Sequence, residues 1–196
     1  MENQNTNEPI DVTRQSTQDE SPVRPAVRSG VMLAGISILL LLVIYLIDGA
    51  LFANMWVGLL IMLFSLILVV VFGINYRKQI GGFISFKNAY VFSLVLLIVA
   101  GFISQIFNYI LFNVIDPDLV NIVTDAAVEN TESLMERFNA PQSDIDDALE
   151  RTEKQMANQY TIGGIAKGFG IGILIYAFIS LITGAIIKKK NPEESI

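Results

Sequence analysis

The sequence predicts an all-α integral membrane protein, a four-helix bundle with an extramembrane acidic helical hairpin between helices 3 and 4. Four long apolar runs occupy residues 31–47, 55–74, 89–112 and 168–187. Each has roughly the length, about 20 residues, with which a helix crosses a hydrocarbon core about 30 Å thick. The runs lack the alternating polarity of barrel strands, so helices are the structures that satisfy their backbone groups in lipid. A conspicuously acidic stretch separates the third run from the fourth.

The amino-acid composition argues against several classes of function. The chain has 196 residues, of which 53% are hydrophobic, and a net charge of −6. A phosphate-binding surface needs clustered Lys and Arg, so we expect no nucleic-acid partner. The chain contains neither Cys nor His, which removes thiol and Ser-His nucleophiles and Cys/His zinc sites. The apolar runs also lack Asp and Glu, so we predict no enzymatic activity, no cofactor and no metal.

The chain before the acidic stretch is predicted to contain a tail and three helices. Residues 1–28 are polar and aperiodic, which predicts a disordered cytoplasmic tail in which Pro22 and Pro25 break any helix. Residues 29–47 are predicted to form a retained signal-anchor helix rather than a cleaved signal peptide. The second helix is expected over residues 55–74, and the third over residues 86–113.

The loop before the third helix contains Gly81 and Gly82, which permit a tight reversal of the chain. Ser85 follows as the expected N-cap of the third helix. Basic residues all fall on one side of a four-span arrangement: Arg24, Arg28, Arg77, Lys78, Lys87, Lys188, Lys189 and Lys190. Because cytoplasmic loops carry the Lys/Arg excess, both termini are predicted to be cytoplasmic. Residues 29–190 would then form the transmembrane domain, and residues 191–196 a cytoplasmic tail.

The acidic segment, residues 116–159, carries apolar residues at helical spacing on both sides of a turn near Pro141. This pattern predicts two amphipathic helices that pack as an antiparallel hairpin outside the membrane. Asp116 and Ser143 are the expected N-caps of its two helices. A divalent-cation site is the alternative, but the acidic clusters do not match a D-x-D-x-D-G loop.

Two sets of residues are candidates for a special role. Lys167 is predicted to lie at the outer membrane interface, level with Gln105, Asn108 and Tyr109. These four residues would form an outer interfacial polar cluster, with a polar vestibule into the bundle as the alternative.

The second set is Gly164, Gly168 and Gly172, which lie four residues apart in the fourth run. Small residues at this spacing let helices approach closely in lipid. Packing within the chain is favoured over homodimerisation.

Two motifs bound the third helix: G-G-F-I-S-F-K at residues 81–87 and I-D-P-D at residues 115–118. In these two motifs, in the acidic hairpin and in the Lys-Lys-Lys end, the chain resembles a family of small four-span bacterial membrane proteins. That family is catalogued as domain of unknown function 4199, and the likeness covers roughly residues 27–190. The resemblance implies the four-span fold and a bacterial inner membrane, and it implies no activity.

The function that these observations favour is that of a non-enzymatic membrane scaffold, which docks a protein partner through the acidic hairpin. The alternative is a small channel or transporter formed by the bundle or by a homo-oligomer of it.

Overall fold

The structure, a computed structural model, describes residues 21–190; the predictions for residues 1–20 and 191–196 lie outside this range. Six α-helices follow one another: α1 (Val23–Ile47), α2 (Met55–Gln79), α3 (Phe86–Ile110), α4 (Leu119–Arg137), α5 (Gln142–Gln159) and α6 (Ile162–Ile187). Residues 21–190 form no strand, and Ile84 and Lys189 pair in one isolated antiparallel bridge. The predicted all-α class is therefore confirmed.

Four of these helices are long and apolar enough to cross a membrane: α1, α2, α6, and α3 with its extension to Ile115. This confirms the number of candidate spans that the apolar runs predict. The extension, Leu111–Ile115, is a π-helical turn, so the third span ends beyond the predicted residue 113. A π-turn widens the backbone locally and is often found at functional positions.

The start of α1 corrects one prediction. The helix begins at Val23 rather than residue 29, with Pro22 as the cap residue and Pro25 in its first turn. The N–H groups of a first turn have no partner within the helix, so proline loses no hydrogen bond there. The two prolines therefore start this helix instead of breaking it.

The α3 helix lies between α1 and α6 and packs along both of them. Glycines allow the close approach, as the space around them shows. A Cβ added to Gly30 would lie 2.8 Å from the carbonyl oxygen of Leu96. A Cβ added to Gly184 would lie 3.2 Å from the backbone nitrogen and Cα of Tyr90. Backbone contact of this kind is how helices associate in lipid.

The end of the apolar helices that carries Arg77, Lys87 and Lys188, here called the basic end, is closely packed. The ring of Tyr76 stacks on that of Phe92, with centroids 4.8 Å apart, and Ile187 is fully buried. Arg77 Nη1 donates a hydrogen bond of 2.8 Å to the carbonyl of Ile187. The ends of α2 and α6 are therefore tied together.

The loop at the basic end behaves as predicted. Gly81 and Gly82 have φ values of 96° and 89°, a region that favours glycine. The Ser85 hydroxyl accepts a hydrogen bond of 3.2 Å from the backbone N–H of Asn88. The predicted reversal and the predicted N-cap are both confirmed.

A second apolar cluster lies at the opposite end, here called the outer end, and includes Phe112, Leu119, Val123 and Met156. It joins α4 to the 3₁₀ turn Gly49–Ala53 that follows α1. The α4 and α5 helices pack against each other.

Two predicted caps are wrong. The α5 helix begins at Gln142, so Ser143 lies inside it, and Pro141 is the cap residue. Asp116 does not cap α4, because the helix begins at Leu119 and its cap residue is Asp118. The Asp116 carboxylate accepts a 3.0 Å hydrogen bond from the Tyr45 hydroxyl. The proline side chain has no hydrogen-bond acceptor, so no side-chain cap forms at α5.

Candidate functional site

A cavity of about 610 Å³ lies between α1, α2, α3 and α6. It exists because α2 packs loosely. This helix meets α6 near Gly73 and Ile187 and makes few contacts with α1 and α3. Only 11% of its most apolar stretch is buried, against 28% for α3. The side chains of the four helices therefore do not fill the space between them.

The cavity wall is mainly aliphatic, from residues such as Leu41, Leu66 and Ile179. Uncharged polar side chains interrupt it: Ser37, Ser65, Ser104, Gln105, Asn108, Gln159, Tyr160 and Tyr176. No Asp, Glu, Lys or Arg is among the described residues that line it. The arrangement can therefore form hydrogen bonds through hydroxyl and amide groups in a mainly apolar, partly open cavity.

The amide groups gather at one end of the cavity. Gln105 and Asn108 lie in the last two turns of α3, which point to the outer end, and Gln159 ends α5 beside the same opening. Ser37 and Ser65 lie near the middle of α1 and α2. The cavity thus has an amide-bearing outer end and a more apolar interior.

These polar lining groups lack protein partners. Between residues 21 and 190, no hydrogen bond involves the side chains of Gln105, Asn108 and Gln159. The side chains of Gln105 and Asn108 are half-buried and that of Gln159 is exposed, so water is the partner that a bound molecule would replace. Their donors and acceptors are therefore available to a molecule that enters the cavity.

Aromatic rings pack against one another beside the outer end of the site. Phe112 stacks on Tyr160 with centroids 4.0 Å apart, and Phe52 meets Phe112 edge-on at 5.6 Å. Asn113 Nδ2 donates hydrogen bonds of 3.1 Å to the carbonyls of Tyr109 and Tyr160. Burial raises the pKa of Tyr160 to about 12, so its phenol stays neutral at physiological pH.

The structure brings part of the predicted polar cluster together. Gln105 and Asn108 line the cavity, whereas Tyr109 and Lys167 are not among its lining residues. The side chain of Lys167 is exposed. The shared role of the four residues stays a prediction.

Of the predicted glycines, Gly164 lies so close to the carbonyl of Asn158 that a Cβ would overlap it. It therefore permits the tight connection from α5 to α6. Gly168 has nothing described within 4 Å of an added Cβ, and the atoms nearest to a Cβ added at Gly172 belong to the side chain of Tyr176 on its own helix, at 3.7 Å. The packing role of these two stays a prediction.

Gly30, the glycine that lets α1 pack closely against α3, was not identified from the sequence. Gly30 lies four residues from both Ala26 and Ala34, and all three are buried. This small-residue spacing was a usable signal for a helix contact. The cavity had no comparable signal, because Gln159 and Ser65 are nearly a hundred residues apart and meet only in the fold.

The chain matches no curated protein and no solved structure. A family model described as "Protein of unknown function (DUF4199)" matches residues 28–189. The match covers α1 from residue 28 onward, the other three apolar helices and both motifs that bound α3. On this match the chain belongs to the DUF4199 family of proteins of unknown function.

Proposed function

We propose that this protein is a non-enzymatic scaffold of the bacterial inner membrane, which docks a protein partner through α4 and α5. In this proposal the four apolar helices form a membrane-spanning bundle and the helix pair lies outside it. The observation that carries the proposal is the side chain of Phe138, which is 79% exposed at the turn between two acidic helices.

The distribution of basic residues supports this orientation. The hydrogen bond from Arg77 to Ile187 and the bridge between Ile84 and Lys189 gather the ends of α2 and α6 and the start of α3. Lys and Arg concentrate on the cytoplasmic side of membrane proteins. With the basic end in the cytoplasm, α4 and α5 lie on the extracytoplasmic side and both termini are cytoplasmic.

The charge of the helix pair favours a basic partner. Residues 116–159 contain eleven Asp or Glu residues and three Lys or Arg residues. Within residues 21–190 one ion pair is present, between Glu150 and Lys154, and Lys154 holds the pKa of Glu150 below its ordinary value. The other carboxylates are uncompensated, so a positively charged surface is complementary to this region.

Apolar side chains on the same helices supply anchors. Besides Phe138, Leu134 is 48% exposed and lines a groove between α4, α5 and the start of α2 that also includes Trp56 and Met156. A few aromatic and apolar anchors supply most of the binding energy in protein interfaces, with charged residues at the rim. We therefore infer a partner that presents basic residues around an apolar pocket.

The chain has no natural cysteine, which makes the test direct. In the Ser143→Cys variant, which keeps Phe138 and places a thiol at an exposed position beside the same turn, a membrane-impermeant maleimide should label intact spheroplasts, whereas the Lys78→Cys control should react only after permeabilisation. The same thiol, carrying a photo-crosslinker in native membranes, should yield one discrete adduct. That adduct should weaken when salt is raised, because screening removes charge attraction.

A second variant tests the charge. Neutralising Glu132 and Glu136 to Gln should lower the crosslinking yield several-fold, whereas the control Glu150→Gln, whose carboxylate already has Lys154, should change it little. Labelling of Ser143→Cys and Lys78→Cys from the same side would contradict the orientation. Adducts to lipid alone would contradict protein docking.

The alternative, a small channel or transporter, is favoured by the cavity between the four apolar helices. The buried Tyr76, Phe92 and Ile187 occupy the region between that cavity and the basic end. A pore would therefore need these helices to separate, or a homo-oligomer to form it. Solute flux into liposomes that contain the purified protein distinguishes this alternative from docking.

A further inference from the structure

We propose that the cavity is a binding site for one uncharged amphiphile from the bilayer. Its hydrogen-bonding head would lie against Gln105 and Asn108, and its apolar chain would lie between α1, α2 and α6. This inference does not depend on partner docking, because it concerns a different part of the molecule.

The polarity of the lining argues for an amphiphile. Unpartnered amides at the outer end, Gln105, Asn108 and Gln159, can bond a hydroxyl or carbonyl head. The aliphatic wall deeper in the cavity, for example Leu33, matches a hydrocarbon chain. A volume of about 610 Å³ lies within the range of small-molecule sites, roughly 300–1,000 Å³.

The absence of charge among the described lining residues selects a neutral head. A carboxylate or phosphate in the cavity would lose part of its hydration, and no lining Lys or Arg would compensate that loss. An ammonium group would likewise find no lining carboxylate. The Tyr160 phenol at the outer end is neutral as well.

The loose packing of α2 indicates the route of entry. Met62 lines the cavity and is also 53% exposed on the surface of α2. The cavity therefore lies close to the lipid-facing side of this helix. An amphiphile can enter sideways from the bilayer, in the same orientation that it has among its neighbours in one leaflet.

The test uses the purified full-length chain in phosphatidylcholine vesicles with a diazirine-bearing monoacylglycerol. We expect saturable photolabelling of cavity-lining peptides by this probe. Labelling by the fatty acid of equal chain length, which is ionised at pH 8, should be at least tenfold weaker. Ser65→Leu should abolish saturable labelling, because the larger side chain occupies the cavity. The control Gly58→Leu, on the same helix where an added Cβ meets nothing within 4 Å, should leave it unchanged.

A second pair of variants tests the head group. Replacing both Gln105 and Asn108 with Leu should weaken the neutral probe about tenfold, the loss expected for one or two hydrogen bonds. It should also reduce the preference over the fatty acid. The control Tyr109→Phe alters a neighbour that does not line the cavity and should have no effect.

Three outcomes would overturn the proposal: no saturable labelling, equal labelling in the Ser65→Leu and Gly58→Leu variants, or equal labelling by neutral and ionised probes. A thermal unfolding curve of each variant identifies any that fails to fold, and Ser37→Leu on α1 is then the substitute for Ser65→Leu. Phe138→Cys should leave the labelling intact, which separates this inference from the docking proposal.

Discussion

The basic end of the apolar helices is filled by side chains, whereas the part nearer the outer end encloses a cavity. At the basic end Tyr76, Phe92 and Ile187 are buried against one another. Towards the outer end, the same helices are separated by about 610 Å³ of space with a mainly aliphatic wall that uncharged polar groups interrupt. The difference teaches that one end holds the helices together, while the other is free to receive a molecule.

The largest expected effect tests the filled end. Phe92→Ala should lower the free energy of unfolding by about 3–5 kcal/mol, because it removes a fully buried ring and leaves a cavity. The measurement is unfolding of the protein in mixed micelles with increasing denaturing detergent. The control Phe178→Ala removes a ring that is 65% exposed and should cost far less. Equal losses would contradict the contrast between buried and lipid-facing rings.

An intermediate effect concerns the helix contact itself. Gly184→Leu should destabilise the protein by about 1–3 kcal/mol or more, because α3 and α6 must move apart to admit the side chain. Gly168→Leu is the matched control on α6, since an added Cβ there meets nothing within 4 Å. Both are measured by the same unfolding assay together with the mass of the protein in detergent.

The Gly168→Leu control also tests the surroundings of Gly168. If Gly168→Leu leaves stability unchanged but converts a dimer into a monomer, Gly168 packs between copies of the chain. If it destabilises the protein as much as Gly184→Leu does, the open environment of Gly168 is contradicted.

The smallest expected effect lies at the outer end. Tyr45→Phe removes the hydrogen bond to Asp116 and should cost about 1 kcal/mol in the same unfolding assay. Tyr109→Phe is its control, because the Tyr109 hydroxyl makes no hydrogen bond within residues 21–190. A Tyr45→Phe variant as stable as its control would show that this bond does not hold α1 in place.

Local features of the fold were predictable because they depend on short stretches of chain. Run length predicted the four candidate spans, and residue type predicted the reversal at Gly81 and Gly82 and the cap at Ser85. The caps at Asp116 and Ser143 were wrong because the two helices begin at other residues, so that Asp118 and Pro141 occupy the cap positions.

The cavity was not predictable, because it depends on how the helices pair. The apolar runs are apolar on nearly all sides, so their pattern does not reveal which face meets which neighbour. Polarity alone marked Gln105 and Asn108 as unusual within an apolar run. That they share a cavity with Gln159 and Ser65 follows only from the loose packing of α2.

The hydrogen bond from Tyr45 to Asp116 has a consequence for genetics. It joins the first span to the junction that leads into α4, and Phe112 stands four residues before Asp116 on the cavity wall. A substitution at this junction therefore disturbs the enclosed space and the exposed helix pair together, and its phenotype reports on neither alone. Substitutions that affect the cavity alone or the helix pair alone must lie far from this junction: at Ser65 for the cavity and at Phe138 for the helix pair.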